Sequence, residues 1–67
     1  ERLAATLGKA VAVGDFEGAE RAAQLYRERA EARGSKSGAR AAFAALRAAR
    51  RSDGAQLEAF ARRFAAT

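Results

Sequence analysis

Three carboxylates, Asp15, Glu17 and Glu20, are the nearest thing to a catalytic cluster in this 67-residue chain. General acid–base catalysis near neutral pH most often uses histidine, or a carboxylate or lysine held in a pocket. The chain contains neither histidine nor cysteine, and so small a domain can scarcely enclose a pocket. Helix capping and the helix dipole already explain acids at the start of a helix. We therefore predict a non-catalytic protein with no metal site and no cofactor.

A glycine- and serine-rich segment, residues 34–38, superficially resembles a phosphate-binding loop. Such a loop needs glycine directly before the lysine and serine or threonine directly after it, with an earlier glycine and a preceding strand. Here Lys36 does precede Ser37, but it also follows a serine, and the segment comes after a helical pattern. We interpret it as a flexible connection in which Ser35 or Ser37 caps the next helix.

Basic residues carry the clearest functional signal, because the second half of the chain holds the whole excess of positive charge. Up to Arg33, six basic residues balance six acidic ones, whereas beyond it seven basic residues face only two acidic ones. At 100° per residue, Arg40, Arg47 and Arg51 lie within about 40° of one another. We call these three residues the arginine stripe.

An acidic stripe of comparable length is predicted on the preceding helix. Its members are Glu17, Glu20, Gln24, Glu28 and Glu31. In the simpler interpretation each stripe is a solvated surface, and the two could face each other within the fold or across a dimer. In the alternative interpretation, the arginine stripe contacts phosphates or an acidic protein.

Helix is predicted nearly everywhere, because proline is absent and alanine, arginine, glutamate and leucine dominate. Gly14 is suited to end the first helix and Asp15 to cap the second. Asp53 and Gln56 have the spacing of a capping box, with Ser52 as an alternative cap. The predicted helices cover residues 3–13, 16–33, 39–51 and 54–65. The expected fold class is all-α: a small bundle of about four helices, arranged as two consecutive helical hairpins.

Leu25 is ambiguous, because it lies on the side of the second helix opposite Phe16 and Tyr26. Most simply, Leu25 meets the third or fourth helix in the core; otherwise it contacts a partner or a second copy. The large apolar side chains are few, which predicts a core that is marginal alone or completed by a partner. The predicted partner-binding residues are Leu25, Tyr26, Arg29, Arg40, Arg47 and Arg51.

Residues 4–33 carry a partial resemblance to a known repeat. Leu7-Gly8-x-x-Val11, followed by Gly14-Asp15-Phe16-x-x-Ala19, resembles the first helix and turn of a tetratricopeptide repeat. Ala4 stands where that family has tryptophan, and residues 35–67 carry no second copy. The resemblance implies a helical hairpin used for protein–protein docking, and it assigns no binding residues.

The chain is expected to form a single helical domain over residues 1–67. Because it begins without methionine, we expect it to be a fragment of a longer protein. No apolar run approaches the roughly 20 residues that cross a bilayer, and no signal-peptide core is present. We therefore expect a soluble, cytoplasmic protein without a membrane partner.

Three functions remain open at this point. The first is a protein–protein docking or oligomerisation module, whose partner is another protein or a copy of itself. The second is a nucleic-acid-binding module that uses the arginine-rich helices of residues 39–66. The third is a structural helical subdomain of a larger enzyme.

Overall fold

The computed structural model describes residues 2–65, apart from the side chain of Arg2. Three residues of the predicted domain lie outside the described residues: Glu1, Ala66 and Thr67. Ala66 is also the last residue of the predicted nucleic-acid-binding segment. The described residues form helices and no strand, which confirms the predicted all-α class. The helices are α1 (Arg2–Ala12), α2 (Phe16–Ala32), α3 (Lys36–Arg50) and α4 (Gly54–Ala65). None of them is long and apolar enough to cross a membrane.

The helices form a small bundle in which each one packs against two neighbours. α1 packs against α2 and α4, and α3 packs against α2 and α4. The most extensive contact joins α2 to α3, so the α1–α2 and α3–α4 hairpins pack against each other along these two helices. Two aromatic rings also cross the bundle, since the Tyr26 and Phe64 ring centroids lie 4.3 Å apart.

Alanine forms most of the core, as the composition suggests. The largest fully buried side chains are Leu7 and Leu57. Small alanine side chains such as Ala19, Ala23 and Ala45 are completely buried between helices. The helices therefore approach closely, but little apolar area is available to stabilise the fold.

All three connections between helices share one geometry, although they differ in sequence. Two residues beyond the end of each of the first three helices the backbone is left-handed, with φ of 74° at Gly14, 72° at Gly34 and 56° at Ser52. In each case the N–H of the following residue donates to a carbonyl five residues earlier, as Asp15 does to Ala10 over 2.8 Å. This is the Schellman arrangement, which satisfies the last carbonyls of a helix. Ser52 is thus a helix-ending residue, and not the alternative cap that its position suggested.

The residue after each left-handed position caps the next helix. Asp15 Oδ1 accepts the Gly18 N–H at 2.9 Å, and Ser35 Oγ accepts the Gly38 N–H at 3.1 Å. Because Ser35 is the cap, α3 begins at Lys36 and not at Ala39, the predicted start. The predicted loop over residues 34–38 is correspondingly shorter.

Asp53 caps α4 as predicted, but the capping box is only half formed. Asp53 Oδ1 accepts the Gln56 N–H at 3.2 Å. The Gln56 side chain does not complete the box, because its Oε1 atom accepts a hydrogen bond from Arg51 Nη2 at 3.2 Å. The end of α3 and the start of α4 are therefore linked by side chains as well as by the backbone.

Candidate functional site

The three carboxylates at the start of α2 have separate structural roles. Asp15 caps the helix, and Glu17 lies in its first turn, where a negative charge favours the helix dipole. Glu20 pairs with Arg50 of α3, with 3.2 Å between the Glu20 Oε2 and Arg50 Nε atoms. Among the described residues, no three acidic, histidine or cysteine side chains are grouped so that they could hold a metal ion.

An open groove between α1 and α2 is the first candidate site. We call it the α1–α2 groove; the lining residues important here are Lys9, Ala10, Val13, Arg21, Ala22 and Leu25. Ala10 and Ala22 are buried and form its floor, whereas Val13 and Leu25 are 79% and 47% exposed. Apolar side chains thus remain in contact with water along this groove.

The simpler interpretation of Leu25, which placed its side chain in the core, is wrong. Leu25 does not meet α3 or α4 in the core, because it lies in the α1–α2 groove and is about half exposed. The physical reason is the order of packing around the bundle. α3 packs against another side of α2, so α1 is the described helix that lies beside Leu25, and α1 leaves it about half exposed.

Tyr26 and Arg29, the other predicted partner-binding residues of α2, do not line this groove with Leu25. Tyr26 is half-buried and packs against Phe64 of α4, so it belongs largely to the edge of the core. Arg29 is exposed near the end of α2. Leu25 and Tyr26 therefore lie on different surfaces.

The outer side of α3 is the second candidate site. We call it the α3 basic face, and it consists of Lys36, Arg40, Phe43, Arg47, Arg50 and Arg51. On a helical projection these residues lie within an arc of about 100°, and all of them are exposed. The structure thus brings together Arg40, Arg47 and Arg51, which line one shallow depression with Phe43 and Gln56.

The arginine stripe does not pair with the acidic stripe of α2. Among the side chains that the structure describes, no carboxylate lies within salt-bridge distance of Arg40, Arg47 or Arg51. An ion pair between α2 and α3 uses Arg50 instead, which lies beside the stripe. Three guanidinium groups of the α3 basic face therefore have no carboxylate in direct contact, although Glu31 of α2 lines a shallow depression together with Lys36 and Arg40.

Phe43 places an aromatic ring among these cations. Its side chain is 41% exposed. The Arg27 guanidinium of α2 lies over the ring, with its Cζ atom 5.0 Å from the ring centroid, which is the geometry of a cation–π contact. The same arginine approaches Glu31 at 3.7 Å.

The two candidate sites differ in size and in lining, and both are open to solvent. The α1–α2 groove has a volume of about 690 Å³, whereas the depression on the α3 basic face has a volume of about 310 Å³. The groove can receive apolar side chains. The α3 basic face is better suited to an extended, charged ligand lying along its surface.

Two functional candidates, Val13 and Phe43, were not among the predicted site residues. Val13 is the last apolar residue before Gly14, so the end of α1 leaves it without a covering helix. Phe43 lies only about 60° from Arg40 on the helical projection. That angle was the available signal that the ring would share the surface of the arginine stripe.

Comparison of the chain with protein-family models, with curated proteins and with solved structures finds no match.

Proposed function

We propose that this protein is a docking module that binds an amphipathic helix of a partner protein in the α1–α2 groove. The observation that carries this proposal is the exposure of Val13 and Leu25 along an open groove between two helices. Apolar side chains grouped on a surface are unfavourable in water, and such groups commonly mark interaction sites.

The shape of the groove supports a helix as the occupant. Its floor is formed by small side chains, Ala10 and Ala22, with Gly18 beside them. Small residues allow the side chains of a third helix to enter between α1 and α2. An amphipathic helix in such a groove binds through apolar residues spaced three or four positions apart.

Charge at the groove supports an acidic occupant. Lys9 and Arg21 line it, whereas its one lining acid, Asp15, is engaged as the cap of α2. Complementary charges orient a partner and increase the association rate. The expected partner helix therefore has leucine-like residues on one face and glutamate or aspartate at the borders of that face.

Titration with a designed helical peptide tests the proposal. The probe has leucines on one face bordered by glutamates, and its counterpart has lysines in place of the glutamates. We expect the glutamate peptide to shift the backbone amide resonances of residues around Val13 and Leu25. Leu25→Asp should weaken binding by tenfold or more, about 1.4 kcal/mol. Arg47→Gln, on the α3 basic face, should leave it unchanged.

Three outcomes would contradict the proposal. Equal binding of the lysine peptide, or resonance shifts confined to α3 and α4, would exclude the α1–α2 groove as an acidic-helix site. Concentration-dependent dimerisation in sedimentation, abolished by Leu25→Asp, would instead identify a second copy of this chain as the occupant.

A further inference from the structure

We propose that the α3 basic face binds single-stranded nucleic acid, with its arginines on the phosphates and Phe43 stacked on a base. This inference goes beyond the docking function and uses no residue of the α1–α2 groove. It rests on three features of the face: its excess of positive charge, its length and its partly exposed aromatic ring.

Positive charge is concentrated on the α3 basic face, where it would contact the phosphates of a polyanion. Arg40, Arg47 and Arg51 have no carboxylate within salt-bridge distance among the described side chains. Arg50 is partly neutralised by Glu20, but both side chains are exposed, at 61% and 40%. A phosphate backbone that approaches this face would release its own counterions, which is the main source of affinity for nucleic acid.

The arrangement of the cations matches an extended ligand. From Lys36 to Arg51 the face runs for about 22 Å at the rise of an α-helix. The guanidinium fork binds phosphate oxygens in a bidentate manner, and arginine is less strongly hydrated than lysine. Four of the five cations on the face are arginines. A strand lying along α3 could therefore contact several of them in turn.

Phe43 distinguishes a single strand from other polyanions. Its exposed ring lies among the arginines, and base–aromatic stacking is the usual complement to phosphate contacts in single-strand binding. Bases of a duplex are stacked on one another and cannot reach a side chain on a flat helix surface. The Arg27 guanidinium already lies over one face of the ring, with its Cζ atom 5.0 Å from the centroid, so a base must stack on the part of the ring that Arg27 leaves open or displace that side chain.

Fluorescence anisotropy of a fluorescein-labelled oligothymidylate, titrated with the full chain, tests this proposal. If Arg40, Arg47 and Arg51 each contact a phosphate, the logarithm of the binding constant should fall with the logarithm of salt concentration with a slope of about −2. Each of Arg40→Gln and Arg47→Gln should reduce that slope by about 0.7. Lys9→Gln removes the same charge from α1 and should leave the slope unchanged.

The aromatic contribution is tested separately. Phe43→Ala should weaken binding by about fivefold or more without changing the salt slope. Phe43→Leu keeps an apolar side chain of similar size and should weaken binding in the same direction, and circular dichroism shows whether both variants remain helical. An abasic strand should bind wild-type protein no better than the base-containing strand binds Phe43→Ala.

Four results would overturn the inference: no binding of the oligothymidylate at low salt, a duplex of equal length binding at least as tightly, an unchanged affinity in both Phe43 variants, or a polyglutamate peptide binding more tightly than the strand.

Discussion

The Nε atom of Arg50 lies 3.2 Å from the Oε2 atom of Glu20, and this ion pair joins α3 to α2. Arg50 is adjacent to the arginine stripe but is not part of it. Because the pair uses one acid of α2 and one cation beside the stripe, it links the two helices while Arg40, Arg47 and Arg51 remain available to a ligand.

The Glu20–Arg50 pair should contribute little to stability. Both side chains are exposed, and pairs of this kind are worth at most about 1 kcal/mol. A double-mutant cycle with Glu20→Gln and Arg50→Gln, measured by urea unfolding, should give a coupling below that value, and high salt should reduce it. The matched cycle with Arg47→Gln should show no coupling to Glu20. A coupling above about 2 kcal/mol would show that water does not screen this pair.

Ser52→Gly should stabilise the protein. Ser52 has the left-handed φ of 56° that glycine adopts at the two equivalent connections. This conformation strains a residue with a Cβ, and the gain exceeds the entropic cost of glycine, so we expect an increase of about 0.5–1 kcal/mol in the free energy of unfolding. The measurement is urea unfolding, with Ser52→Ala as the control that keeps the Cβ. A loss of stability in Ser52→Gly would show that the serine side chain itself supports the turn.

Gly8→Ala and Gly38→Ala should have opposite effects. A Cβ at Gly8 would meet no atom within 4 Å, so alanine should stabilise α1 by about 0.5–1 kcal/mol through helix propensity. A Cβ at Gly38 would lie 2.8 Å from Ser35 Oγ and 3.2 Å from the Ala30 Cβ. Alanine there should disturb both the α3 cap and the α2–α3 contact. Thermal unfolding of the two variants checks this, and a change of the same sign in both would contradict it.

Leu57→Ala should unfold most of the protein, whereas Leu25→Ala should not. Leu57 is completely buried, and removing a buried leucine side chain costs about 2–5 kcal/mol. A core this rich in alanine buries little apolar area, so this loss is a large part of the free energy of unfolding. Leu25 is about half exposed, so its truncation should cost less than about 1 kcal/mol. Circular dichroism with urea unfolding compares them; a comparable loss in Leu25→Ala would mean that the α1–α2 groove is closed in solution.

The sequence determined most of the secondary structure, because its signals are local. Gly14 and Gly34 permit a left-handed turn, Asp15 and Asp53 offer capping oxygens, and nothing within the helices breaks them. The main error in the predicted secondary structure was the position at which α3 begins. Ser35 and Ser37 are equally able to cap, and the choice depends on the Ser35 N–H bonding to the Ala30 carbonyl at the end of α2, at 2.8 Å.

The candidate sites were only partly determined by the sequence. The spacing of Arg40, Arg47 and Arg51 placed them on one helix face, because side chains seven and four residues apart share a face whatever surrounds the helix. The exposure of Leu25 could not be predicted in the same way, because periodicity shows which residues share a helix face but not which faces are covered by other helices. Only the tertiary structure decided that α3 packs on another side of α2, leaving Leu25 exposed beside α1. It also decided that Glu20 pairs with Arg50 and not with an arginine of the stripe.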